Sequence, residues 1–167
     1  DHGAPKIMNR KQLLERFVEH RHEIVVRRTR FDLEAAEARE HILEGLKIAL
    51  DNLDEVIKTI RESADVERAR SNLMDRFGLS ELQAQAILDL RLHRLTGLER
   101  EKISGDLREL VAQIADLIDI LGSKPRLFRI MRDELLAMKE EFGDKRRTTL
   151  EEGEIAQDIE TLIQPED

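Results

Sequence analysis

The histidines, arginines and carboxylates of this sequence are the side chains whose types and spacing bear on chemistry. His20 and His22 form an H-x-H pair. On a strand or loop such a pair can hold a metal ion, but on a helix turning about 100° per residue the two rings point roughly 200° apart. They read as two surface histidines of one helix. Arg27, Arg28 and Arg30 form a basic cluster that would attract DNA phosphates without regard to sequence. The favoured alternative is salt bridging along the helix to Glu23 and Glu34, and to carboxylates of a neighbouring helix. His93 fits an interfacial hydrogen bond and a solvent-exposed position equally well. The many Asp and Glu residues fall at helical spacing as solvated faces do, with no paired-carboxylate site and no glycine-rich phosphate loop. The chain has no cysteine, which excludes disulfides, thiolate nucleophiles and Cys-ligated zinc. No cofactor and no metal are expected in it.

What the sequence does offer is a surface. From Leu79 to Ile103 the chain reads as helix, and the block Ser80 to Leu95 carries apolar residues on two sides. At about 100° per residue, Leu79, Leu82, Ala86 and Leu90 share one side, and Ala84, Leu88, Leu92 and Leu95 lie nearly opposite, with Ile87 between. A helix with two apolar faces must bury both. One face can pack on its own chain while the other is left for a partner. Leu79, Leu82, Gln83, Gln85, Ala86, Asp89, Leu90 and His93 are accordingly the candidate dimer-interface residues, the polar ones fixing register.

Composition sets the elements that must carry this surface. Charged residues make up 38% of the 167-residue chain and aromatics 3%, poor material for a wide globular core and typical of long helices or coiled coils. The net charge is -8, yet Thr148 to Asp167 contain seven acidic residues and no Lys or Arg, so most of the acidity lies in a tail. Arg10 to Arg30 reverse the sign, with seven Lys or Arg against Glu15, Glu19 and Glu23. Apolar runs are only a few residues long, and the chain is expected to be soluble and cytoplasmic, with no membrane partner.

The expected fold class is all-α, with long antiparallel coiled-coil arms carrying a small helical dimerisation head at the tip. Residues 1–9 read as an extended lead-in ending on Asn9, a helix N-cap. An outgoing arm occupies 10–50: Leu14, Phe17, Arg21, Ile24, Arg28, Phe31, Ala35, Ala38 and Ile42 alternate steps of four and three, with no proline over a helix about 60 Å long. The head, 51–97, holds three shorter blocks, Leu53 to Ser63, Val66 to Phe77 and Ser80 to Leu95, with Asp65 and Ser80 as caps. The return arm, 98–143, repeats the four-three rhythm and breaks near 122–125. Residues 144–167 form an acidic tail or linker. Gly45, Gly97, Gly105, Gly122 and Pro125 are candidate hinges, because glycine and proline interrupt helical continuity.

Several strings resemble the A subunits of bacterial type IIA DNA topoisomerases, above all DNA gyrase. They are Gln83-Ala84-Gln85-Ala86-Ile87-Leu88-Asp89-Leu90-Arg91-Leu92, Leu95-Thr96-Gly97-Leu98-Glu99, His41-Ile42-Leu43-Glu44-Gly45-Leu46, and Gly143-Asp144-Lys145-Arg146-Arg147-Thr148. The topoisomerase IV A subunit shares the architecture, and the second and fourth strings are the more gyrase-like. The resemblance implies the primary dimerisation region, a DNA exit gate or C-gate, closing as a homodimer through the head. In the full enzyme it implies a B subunit using ATP and magnesium, and duplex DNA as the transported partner. Winged-helix and tower regions would precede residue 1, and a DNA-wrapping domain would follow the tail. The family cuts DNA with a tyrosine, and this chain has none, so it cannot supply that nucleophile. Rival readings are a stand-alone coiled-coil adaptor and a DNA-binding helical module using Arg10 to Arg30.

Overall fold

A computed structural model describes residues 7–149, apart from the side chains of Leu92 and His93. Among the described residues there are six α-helices and no strand: α1 (Arg10–Asp51), α2 (Leu53–Glu62), α3 (Val66–Phe77), α4 (Glu81–Leu88), α5 (Gly97–Gly122) and α6 (Lys124–Phe142), with a 3-10 turn at Leu92–Leu95. None of these helices is long and apolar enough to cross a membrane. The all-α class is as expected. Two compact units divide the chain, residues 1–133 and residues 134–167.

In the first unit, α1 runs unbroken for 42 residues. Asn9 starts it with a capping box: its side chain accepts from the Gln12 backbone N–H at 2.8 Å, and its own N–H donates to Gln12 Oε1 at 3.0 Å. Thr29, a β-branched polar residue in the helix interior, is buried and satisfied by donating its hydroxyl to the Val25 carbonyl at 2.8 Å.

The long helix packs on α5 in antiparallel order. Val25 meets Ile120, Ala36 meets Leu110 and Ile114, and Asp51 pairs with Arg100, so rising numbers on α1 meet falling numbers on α5. Leu127 and Met131 of α6 join Val25 and Ile120 in one buried cluster. The four-three rhythm is covered only in part, because Leu14 and Phe17, placed on the seam by the sequence, remain exposed.

The short helices α2, α3 and α4 fold against the last turns of α1. Their common core contains Leu46, Ala49, Val56, Leu73, Leu79, Ala84 and Ile87. Polar contacts stitch α3 to α2: Arg76 donates to Thr59 Oγ1 at 3.0 Å and to Glu55 Oε2 at 2.6 Å, and Asn72 donates to Ser63 Oγ at 3.0 Å. The starts of α3 and α4 and the end of α3 have local causes. Asp65 accepts from the Arg68 N–H at the head of α3, Ser80 and Gln83 make a capping box for α4, and Gly78 ends α3 at φ 65°, the left-handed region that glycine tolerates.

One expectation fails here. The sequence predicts a helix across Ser80 to Leu95 and beyond, whereas α4 stops at Leu88 and a 3-10 turn follows at Leu92–Leu95. Leu88 and Leu90 would point about 200° apart on a continuous helix. Ending the helix lets both, with Leu95, line one apolar groove against Leu53, Ile57 and Ile60 of α2.

In the second unit the described residues are the last turns of α6 and residues 143–149. Leu135, Leu136, Met138 and Phe142 are exposed there. The acidic stretch from Leu150 onward lies outside the described residues.

Candidate subunit interface

The break at Leu88 sorts the interface residues expected from sequence. Leu82 projects from α4 with 68% of its surface exposed, Asp89 is exposed, and Gln85, Ala86 and Leu90 are partly so. Leu79 and Gln83, at 5% and 6% exposed, are taken up inside the protomer. The side chain of His93 lies outside the described residues.

Gln85 and Asp89 form one local unit, the amide of Gln85 donating to both carboxylate oxygens of Asp89 at 3.1 Å. A side chain so held presents a fixed polar rim next to exposed apolar surface, the arrangement that gives an interface its register. The groove behind α4, about 210 Å³, is lined by Leu50, Leu53, Val56, Ile57, Leu88 and Leu90 among others, and Ile57 at its edge is exposed. Sequence reasoning missed the α2 side of this groove. Leu53, Val56, Ile57 and Ile60 fall at the i, i+3, i+4, i+7 positions of an amphipathic helix, a pattern that could have found it.

Two ionic clusters tie α5 to its neighbours, one at each end. Lys47 and Arg100 both bind Asp51, at 3.1 Å and 2.7 Å, tying the end of α1 to the start of α5. Their hydrogen bonds, the Lys47 bond first, hold the Asp51 carboxyl below its ordinary range. Arg126 at the start of α6 forks onto Asp116 and Asp119 of α5, and these two carboxylates raise the affinity of the guanidinium for its proton.

The remaining expected positions have plain geometry. Gly97 opens α5, Gly105 lies inside it, Gly122 closes it, and Pro125 occupies the first turn of α6, where its missing N–H is no loss. Gly45 sits within unbroken α1 against Gln83. Arg27 pairs with Glu23 at 3.0 Å, and Arg28 and Arg30 are exposed. His22 packs against Phe128 with ring centroids 5.8 Å apart and ring planes tilted by 37°, so one member of the H-x-H pair helps dock α6 on α1.

Comparison with known proteins gives this arrangement relatives. The family model for the DNA gyrase/topoisomerase IV A subunit matches residues 1–136. The DNA gyrase A subunit of Clostridium acetobutylicum is 53% identical over 164 residues, covering 98% of this chain and 20% of that protein. That of Streptococcus pneumoniae strain R6 is 54% identical over 166 residues, covering 99% of the chain and 20% of the relative. A third, from Halalkalibacterium halodurans, is 52% identical over 161 residues, 96% of the chain and 19% of the relative. The chain thus spans about a fifth of the length of the curated relatives it matches. With a family match over most of its length, and half or more of its residues identical along nearly all of it, this chain belongs to the family of DNA gyrase/topoisomerase IV A subunits.

Proposed function

We propose that the chain is the dimerisation and DNA exit-gate segment of a gyrase A subunit: two copies meet through the short helices, and the paired long helices act as the arms of the gate. The observation that carries this reading is Leu82, a large apolar side chain left 68% exposed on a helix whose other face is buried in the protomer. An exposed leucine flanked by the fixed Gln85–Asp89 pair suits a contact that closes in one register and can also part. Gyrase is preferred to topoisomerase IV because the relatives named above are gyrase subunits. In the whole enzyme the segment would work beside a B subunit that uses ATP and magnesium, on duplex DNA in the cytoplasm. Its part is to hold and release, since it has no tyrosine to attack phosphate. The Gly122–Pro125 corner is the proposed flex point of the arm, the place where α5 gives way to α6 across Ser123 alone.

Sedimentation equilibrium tests the reading. At concentrations on the order of tens of micromolar the chain is expected at dimer mass, and Leu82→Arg, which sets a charge in the contact without touching the protomer core, is expected at monomer mass with unchanged helix content. A wild-type chain that stays monomeric, or a Leu82→Arg chain that dimerises as wild type does, overturns the reading.

A further inference from the structure

Where α4 crosses α1, one glycine and three polar side chains account for its seat. A Cβ added at Gly45 would lie 2.6 Å from Gln83 Cβ and 2.7 Å from Gln83 Cγ, so this backbone approach exists only because residue 45 has no side chain. Gln83 is gripped at both ends of its amide. Its Oε1 accepts from the Ser80 backbone N–H at 2.9 Å, and its Nε2 donates to the His41 carbonyl at 2.7 Å. Those two backbone groups fix the orientation, because the reversed amide would set oxygen against oxygen and N–H against N–H.

The orientation of Gln83 in turn fixes the histidine. The second amide hydrogen of Gln83 Nε2 faces His41 Nδ1 at 3.4 Å, so Nδ1 presents its lone pair. Nε2 of His41 then carries the hydrogen and donates it to Ser80 Oγ at 2.6 Å, while the same oxygen accepts from the Gln83 backbone N–H at 3.2 Å. One neutral tautomer satisfies all of these contacts at once.

We propose that Gly45 and His41 are positioning residues for the contact with a second copy of this chain: Gly45 sets how deeply α4 seats on α1, and His41 sets its orientation. Gly45 is then a spacer in place of the flex point expected from the sequence. The proposal rests on the dimerisation reading above. Leu82, Gln85 and Asp89 are carried on a platform fixed to the long helix, so a movement of α1 reaches the subunit contact undiminished. A methyl group at residue 45 would have to push α4 outward, because Gln83 Cβ is attached to backbone and cannot rotate away.

The test compares the 167-residue chain with Gly45→Ala, His41→Phe and His41→Gln by sedimentation equilibrium, with helix content from circular dichroism and the His41 ring nitrogens from 15N NMR. Gly45→Ala and His41→Phe are expected to raise the dimer dissociation constant about tenfold or more with helix content retained. His41→Gln, whose amide N–H can still reach Ser80 Oγ, is expected within about threefold of wild type, which a generally structural role for the histidine would not give. The wild-type His41 spectrum is expected to report a neutral ring protonated on Nε2. Dissociation constants for Gly45→Ala and His41→Phe within about twofold of wild type overturn the proposal, as does an Nδ1-protonated ring. Should Gly45→Ala or His41→Phe unfold, the tautomer of the wild-type ring decides. A wild-type chain that is monomeric sinks the dimerisation reading itself, an outcome distinct from the failure of these two residues.

Discussion

Asp51 closes α1, where its negative charge meets the negative end of the helix dipole, an unfavourable placement on its own. Lys47 one turn back and Arg100 on α5 reverse the balance, and their hydrogen bonds hold the carboxyl below its ordinary value of 3.8. A carboxyl whose folded value is depressed binds its proton more weakly in the folded chain than in the unfolded one. It therefore stabilises the fold fully above pH 3.8, and the contribution is lost as pH falls through the lower folded value. The stability difference between wild type and Asp51→Asn is expected to be constant from about pH 7 to 5 and to shrink only in the acid range below the ordinary value. Urea unfolding at a series of pH values checks this. A gap that closes already near neutrality would mean that some other group carries it. The same link is partly exposed, so added salt should narrow the gap at neutral pH.

At the scale of elements, the starts of α1, α3 and α4 were readable because each has a local chemical cause. Asn9, Asp65 and Ser80 accept backbone N–H groups at three helix starts, and Gly78 ends α3 with a conformation other residues avoid. The end of α4 was not readable, because Leu88-Asp89-Leu90-Arg91-Leu92 contains no glycine or proline. Only the tertiary demand that Leu88 and Leu90 reach one groove ends the helix there. Gly45 carried the same ambiguity: in a sequence, a glycine that lets a neighbour approach cannot be told from one that lets a helix bend. Gln83 likewise looked like surface register and is instead a buried bracket for α4.

The corner between α5 and α6 is an element-scale prediction. Gly122 and Pro125 mark it in the sequence, but Arg126 clasps the corner from α6 onto Asp116 and Asp119 of α5. A bidentate guanidinium fork of this kind constrains direction as well as distance. Arg126→Gln is expected to speed amide hydrogen exchange across residues 119–128 several-fold while leaving exchange in α3 unchanged, since α3 belongs to the separate cluster around Leu73. Exchange at the corner equal to wild type would mean that hydrophobic contact of Leu127 and Met131 with Val25 holds the corner alone.

For the whole molecule, the decisive question is whether the basic segment of α1 or the α4 surface is the working part. The helix geometry separates them: Val25 is buried between α1, α5 and α6, and Arg27 lies about 200° around the helix from it, pointing away from that core. Arg27 is also engaged by Glu23, and an exposed pair of this kind contributes little to stability. Replacing Arg27, Arg28 and Arg30 together by Ala is therefore expected to leave the dimer dissociation constant within about twofold of wild type. If the segment is a gate that DNA passes, its contact with duplex should be weak and transient, and the triple variant should change fluorescence anisotropy of a labelled duplex only modestly at physiological salt. The DNA-binding alternative predicts the reverse: tight, strongly salt-dependent binding that the triple variant abolishes, with a dimer constant that has no bearing on it. Measuring both constants on the same two proteins separates the alternatives. A chain that holds its dimer and loses little DNA affinity without these arginines places the function in the contact built on α4 and its seat on α1.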